Sequence, residues 1–143
     1  MKYLISLAIS LFLLISASAF SNEPEAEDTR ISLDLTKSEK VLFLTEMRQM
    51  LVSIQGILQG IGEDDRALII KSAQYSGNRM ARATPESIKK KTPSEFKELG
   101  GPTHMMFEEL VIRAEDDDLE SLTLLTSEIL KNCVACHSQF KAD

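Results

Sequence analysis

The chain has no tryptophan, two cysteines, two histidines and four prolines, and aromatic residues make up 6% of its 143 residues. Two cysteines are too few for a disulfide scaffold. A structural zinc site wants four protein ligands. Only Cys133, Cys136, His137 and the remote His104 could serve, and no finger spacing links them. No strand signal is visible, so the thioredoxin-like βαβ setting of a redox C-x-x-C is missing too. There is no Ser/His/Asp set, no second metal cluster and no phosphate loop, which argues against an enzyme. Positive charge is scarce: 16 Lys and Arg stand against 22 Asp and Glu, for a formal net charge of -6. That balance argues against nucleic acid as a partner. It permits docking to basic patches on other proteins.

One long apolar run is present, from Leu4 to Ile15, broken only by Ser6 and Ser10. Lys2 precedes it and Ala17-Ser18-Ala19 follows, as in a secretory signal with its cleavage site. Residues 1–19 are therefore expected to be removed, leaving a mature chain from Phe20 in the periplasm. The run is shorter than the ~20 residues that span a bilayer. No cysteine follows it for lipid attachment, so no stable membrane anchor is expected. Residues 20–35 are expected to form an acidic N-terminal arm, within which Ser21 to Arg30, polar and containing Pro24, is loose. Residues 36–143 are expected to form one domain.

Helical periodicity dominates that domain. A first helix is expected from about Thr36 to Gly60, opened by a Thr36/Glu39 capping box. Leu44, Met47, Leu51, Ile54, Leu58 and Ile61 form its main apolar stripe, widened by Phe43, Met50 and Ile57. A second runs from about Glu63 to Arg82, with Leu68, Ile69, Ala73, Met80 and Ala83 as its apolar residues and Gly77 as a weak spot. Thr84-Pro85 and Thr92-Pro93 each read as an N-cap before proline, and Thr92 with Glu95 as a second capping box. The stretch from Glu86 to Lys91 is at most a short helix. A third long helix is expected from Pro93 to Ala114, carrying Phe96, Leu99, Met105, Met106, Leu110 and Ile112. Gly100-Gly101-Pro102 should kink or interrupt it. Asp116-Asp117-Asp118 opens a last helix from Leu119 to Gln139, with Leu122, Leu125, Ile129, Cys133, Cys136 and Phe140 inward. Glu108, Glu109 and the acidic run from Glu115 to Asp118 are read as solvated. Helices with short connections and no strands predict an all-α fold, an antiparallel four-helix bundle.

Chemistry concentrates in Cys133-Val134-Ala135-Cys136-His137. C-x-x-C-H is the attachment signature of c-type haem: the thiols become thioethers and the histidine can bind iron. On a helix the cysteines fall at i and i+3, with His137 at i+4 from Cys133, so one turn can hold both the porphyrin edge and the metal. A redox disulfide, a metal site and a chance occurrence are the competing readings. The export signal favours haem, which is attached outside the cytoplasm.

The motif lies at the end of the last expected helix, followed by Ser138-Gln139-Phe140-Lys141. This arrangement resembles the class II c-type cytochromes: cytochrome c-prime and its low-spin relatives. The resemblance spans about Thr36 to Lys141; its terminal motif is specific and the surrounding helices are generic. It implies a periplasmic four-helix bundle with one haem c joined to Cys133 and Cys136, and His137 as the proximal iron ligand. It also implies that the first helix supplies the other side of the iron. Met47 stands in the family-like position for a distal ligand, with Met50 in reserve and Leu51 or Val52 as a covering residue if neither binds. A methionine in an apolar stripe is otherwise plain core filler. Arg48 resembles the arginine near the haem propionates, and is equally read as a solvated helix arginine. His104 could give a bis-histidine iron, or be a satisfied or partly exposed side chain.

The expected activity is electron transfer with periplasmic redox proteins as partners; a homodimer fits the class as well. The alternatives are binding of nitric oxide or carbon monoxide at a five-coordinate haem, with Leu51 and Val52 screening ligands, and a haem-free helical module with a redox-active cysteine pair.

Overall fold

The computed structural model describes residues 27–143, so the expected signal, its cleavage site and the first part of the arm lie outside the described residues. The elements in chain order are β1 (Ile31–Ser32), α1 (Lys37–Glu63), α2 (Arg66–Gln74), α3 (Asn78–Ala83), α4 (Glu86–Lys91), α5 (Ser94–Arg113), α6 (Leu119–Gln139) and β2 (Phe140–Lys141). The described residues are mostly helical, and the fold is all-α as expected.

α1 opens on the capping box read from the sequence. The Glu39 N–H donates to Thr36 Oγ1 at 3.3 Å, and the Thr36 N–H donates to Glu39 Oε2 at 2.9 Å. The helix does not stop at its glycines. It continues to Glu63 and ends where Asp64 turns left-handed, at φ 53. Gly60 serves a close approach instead: a Cβ there would lie 2.7 Å from Ile69 Cγ1 and 2.9 Å from the Asp65 carbonyl oxygen. Gly56 likewise leaves room only for Ser72.

The inner face of α1 is rotated from the expected stripe. Phe43, Met50, Ile54 and Ile57 are buried, whereas Leu51 is 67% and Leu58 46% exposed. Met47 and Ile61 pack at the margin. Phe43, Met50 and Ile57, expected only to widen the stripe, lie on its buried side with Ile54, and Leu51 and Leu58 of the main stripe lie on the exposed side. Ser53, Gly56 and Gly60 are buried on the observed side, and their small size draws α2 in.

The expected second helix is two. Asp65 caps α2, accepting the Leu68 N–H at 2.9 Å, and α2 ends at Gln74. α3 begins after Gly77, where a Cβ would strike the Glu108 carboxylate. Glu108 is not merely solvated: its Oε1 accepts the Asn78 N–H at 2.7 Å and so closes the open end of α3.

The two threonine–proline pairs act otherwise than expected. Thr84 Oγ1 donates to the Glu46 carboxylate at 3.3 Å, and Thr92 Oγ1 donates to the Lys89 carbonyl at 3.0 Å, closing α4. No side chain caps α5, so the Thr92/Glu95 box is not formed. α5 also runs unbroken through Gly100-Gly101-Pro102. Pro102 removes only the bond to the Glu98 carbonyl, and Glu98 is exposed, so solvent can satisfy it. Phe107, Leu110 and Ala114 form the buried line of α5, while Met105 and Ile112 are exposed rather than core. Asp118 caps α6 through the Ser121 N–H at 2.8 Å, and Leu122, Leu125 and Ile129 are buried as expected.

α1 packs on α2 and α6, and α5 packs on α2, α3 and α6. The main core joins Ile54, Ile57, Ile69, Ala73, Phe107, Leu110, Leu122 and Ile129. α1 is long and apolar enough to cross a membrane by length and composition alone, but Met50, Ile54 and Ile57 are packed in this core. A second cluster joins Leu33, Leu35, Phe43, Ile88 and Phe140.

That second cluster ties down the arm beyond the segment expected to be loose, most of which lies outside the described residues. Ile31 and Ser32 pair in parallel with Phe140 and Lys141, and the Leu33 N–H donates to the Lys141 carbonyl at 3.0 Å. Leu33 and Leu35 are buried. Ile31, Leu33 and Leu35 alternate with Ser32 and Asp34, a period of two short enough to escape notice beside long helices.

Two stability tests follow from this packing. Gly60→Ala should cost about 1–3 kcal/mol through overpacking against Ile69 and the Asp65 backbone, measured by urea unfolding. Lys91 Nζ donates to Glu39 Oε2 at 2.7 Å and, with the Thr36 N–H, holds the Glu39 carboxyl down at about 2. A carboxyl held below its unfolded value stabilises the fold above ~4.3 and loses that effect as pH falls toward 2. Glu39→Gln should therefore lower stability at neutral pH and flatten its fall between those two values, read from unfolding midpoints across acid pH.

Candidate functional site

A cavity of about 550 Å³ opens between the first half of α1, the segment from Ala81 to Thr92, the first half of α5 and the end of α6. That volume lies within the ~300–1,000 Å³ usual for cofactor and small-molecule sites. Its walls are mostly apolar: Phe43, Met47, Met50, Leu51 and Ile54 from α1, Phe96 and Leu99 from α5, and Leu130 from α6. Arg48, Lys89 and Lys97 bring positive charge to it. Arg48 is exposed and makes no ion pair among the described residues.

Cys133, Cys136 and His137 all line this cavity, from the last turns of α6. The cysteines are free and half-buried. Cys133 packs against the main core and Cys136 against the second cluster. Burial pushes both thiols up, Cys136 to about 11 with help from Cys133. They are neutral thiols at pH 7, unlike the lowered thiolates of disulfide oxidoreductases. His137 is exposed at the cavity's edge, and its backbone carbonyl accepts from Arg30 Nη1 at 3.2 Å.

The structure brings both α1 methionines to the same cavity. Met50 is buried in the core, and Met47 is half-buried between the two clusters. Met47 therefore has less packing of its own. Leu51 also lines the cavity; Val52 does not and is 58% exposed, so it is no covering residue.

His104 lies on the α5 wall, half-buried. Its Nδ1 is 2.7 Å from the Ser76 carbonyl oxygen. A carbonyl only accepts, so Nδ1 carries the hydrogen and a neutral ring leaves its lone pair on Nε2. Ser76 is itself buried and donates to Ser53 Oγ at 2.8 Å, which ties the wall to α1.

Sequence reading missed Glu46. It lines the cavity as a half-buried carboxyl, raised by burial against the opposing pull of the Thr84 hydroxyl and Lys89. Its position three residues after Phe43, on the buried line of α1, was the available signal. Asn132 was missed as well; it lines the cavity, and its Nδ2 donates to Met106 Sδ at 3.5 Å. Among the described residues no three His, Cys, Asp or Glu side chains converge as a metal cluster.

Comparison with protein-family models, curated proteins and solved structures found no match to this chain. The arrangement itself offers two neutral thiols and an imidazole on one wall, a thioether on another, and apolar surface between. Its mostly apolar lining suits an apolar group better than a polar substrate.

The two methionines should separate in stability. Met50→Ala should cost about 2–5 kcal/mol, as for a buried methionine, and Met47→Ala clearly less, measured by chemical denaturation.

Proposed function

We propose that the chain is a periplasmic monohaem c-type cytochrome resembling the class II cytochromes, working in one-electron transfer. In this reading α1, α2 with α3, α5 and α6 act as the four members of a helix bundle with its cofactor site in the core. One observation carries it: all three chemical residues of the C-x-x-C-H motif line an apolar cavity that Met47 lines from another helix.

The residues present fit a haem c. Cys133 and Cys136 would hold it by thioether bonds, and neutral, half-buried thiols suit a structural attachment rather than thiol exchange. His137 would give the proximal nitrogen and Met47 the distal sulfur. Arg48, with Lys89 and Lys97, would balance the propionate charges. When bound, the haem supplies an iron that cycles between its ferric and ferrous states. The protein's part is to bind, orient and keep dry. Phe43, Ile54 and Leu99 would exclude water, and held side chains on both walls would limit reorganisation.

Export, the arm's first residues and a homodimer belong to the proposal. So does the choice between electron transfer and gas binding, which turns on Met47. A vacant distal position beside Leu51 would suit nitric oxide or carbon monoxide; a Met47 sulfur there makes any gas compete.

Expression with a working haem-attachment system should give a heme-staining band and a mass equal to the chain from Phe20 plus one haem. An unmodified mass overturns the reading. His137→Ala should keep the covalent band but change the iron spectrum; an unchanged spectrum makes another residue, His104 first, the ligand. Met47→Ala should lower the reduction potential, raise the spin state and speed carbon monoxide binding. A wild-type protein already high-spin and open to carbon monoxide refutes Met47 ligation and favours gas binding. If Met50→Ala alone changes the spin state, Met50 is the ligand.

A further inference from the structure

We infer that residues 28–35 form a clasp that positions His137, with Arg30 as the positioning residue; this rests on the reading of His137 as an iron ligand. The last carbonyls of a helix have no partner within it. At the end of α6 the Phe140 N–H satisfies Cys136, and the next carbonyl, that of His137, is met by Arg30 Nη1 at 3.2 Å. Arg30 is itself held. Its Nε and Nη2 donate to the two Asp28 oxygens at 2.9 and 2.8 Å, which leaves Nη1 directed at His137. A two-toothed grip of this kind orients a guanidinium as a lysine could not be oriented.

The clasp is also tied in immediately beyond that contact. β1 pairs with β2 immediately after α6, and the Leu33 N–H bonds the Lys141 carbonyl at 3.0 Å. Leu33 is 2% exposed, in the cluster against which Cys136 packs. The His137 side chain is exposed, so little packing holds it from the solvent side. Its backbone must carry the restraint, and without the clasp the terminal turn would fray. A ligand on a fraying turn samples several orientations; on a clasped turn it keeps one.

The contact is exposed, so its loss should leave global stability alone and act on the site. The test uses the full holoprotein. Arg30→Gln removes the guanidinium that Asp28 grips, Leu33→Ala removes the buried anchor that follows β1, and Lys131→Gln removes an unrelated exposed ion pair on α6 as control. The readouts are the width of the ferric electron paramagnetic resonance signal, which reports the spread of ligand orientations, and amide exchange at Phe140 and Leu33. Arg30→Gln and Leu33→Ala should broaden the signal, with exchange about two- to tenfold faster in Arg30→Gln, the range one net hydrogen bond supplies. Lys131→Gln should change neither, and Arg30→Gln should keep the wild-type unfolding midpoint. Signals of wild-type width in both clasp variants overturn the inference. Broadening in Leu33→Ala alone overturns the role given to Arg30. If no haem is attached, the parent reading has failed, and wild-type exchange in Arg30→Gln then overturns the clasp as well.

Discussion

The close approach of α1 and α2 is the constraint from which the cavity follows. Gly60 and Gly56 leave no room for a Cβ, and Ser53 with Ser76 closes a buried hydroxyl pair across the same seam. Small residues on one side of α1 bring α2 into near-backbone contact. The larger side chains of the earlier turns, from Phe43 to Leu51, then border a space that the end of α6 only partly closes. A helix that packs tightly along one half and stands off along the other leaves a cavity by geometry. Here that cavity lies beside both cysteines of the chain.

Much of this was legible in the sequence. The Thr36 cap, the Asp118 cap, the short α4 and the inner line of α6 follow from local chemistry, and local chemistry is what sequence displays. The site motif was legible for the same reason: its five residues sit on consecutive turns of one helix. The rotation of α1 was not legible, because apolar size favoured Leu51 and Leu58 over Gly56 and Gly60. Hydrophobic periodicity weighs bulk, and a tight helix contact is made by its absence. Pro102 misled for a related reason. Its effect depends on whether the orphaned carbonyl meets solvent, a tertiary fact.

Other features were hidden because they join distant residues. Glu108 closing α3, Thr84 turned to Glu46 and Arg30 bonded to His137 each link segments far apart in the chain. No spacing rule reaches across such distances. Glu46 shows the functional cost of that limit. An acidic residue next to Met47 reads as surface, yet it stands on the cavity wall with its carboxyl raised by burial. A half-buried acid on an otherwise apolar cavity wall is a feature that composition cannot suggest.

The parallel pairing of β1 with β2 also bears on how the chain comes together. Ile31 and Phe140 sit at opposite ends of the described sequence, so their contact closes nearly the whole chain into one loop. Such a contact is among those of highest sequence separation in the described residues and gains least until the intervening helices have shortened the gap. The helices, whose contacts are local, can form in its absence. The ends should therefore meet last, with Ile31 to Leu35 waiting for Phe140 and Lys141. Assembly of this fold finishes where its chemistry is concentrated.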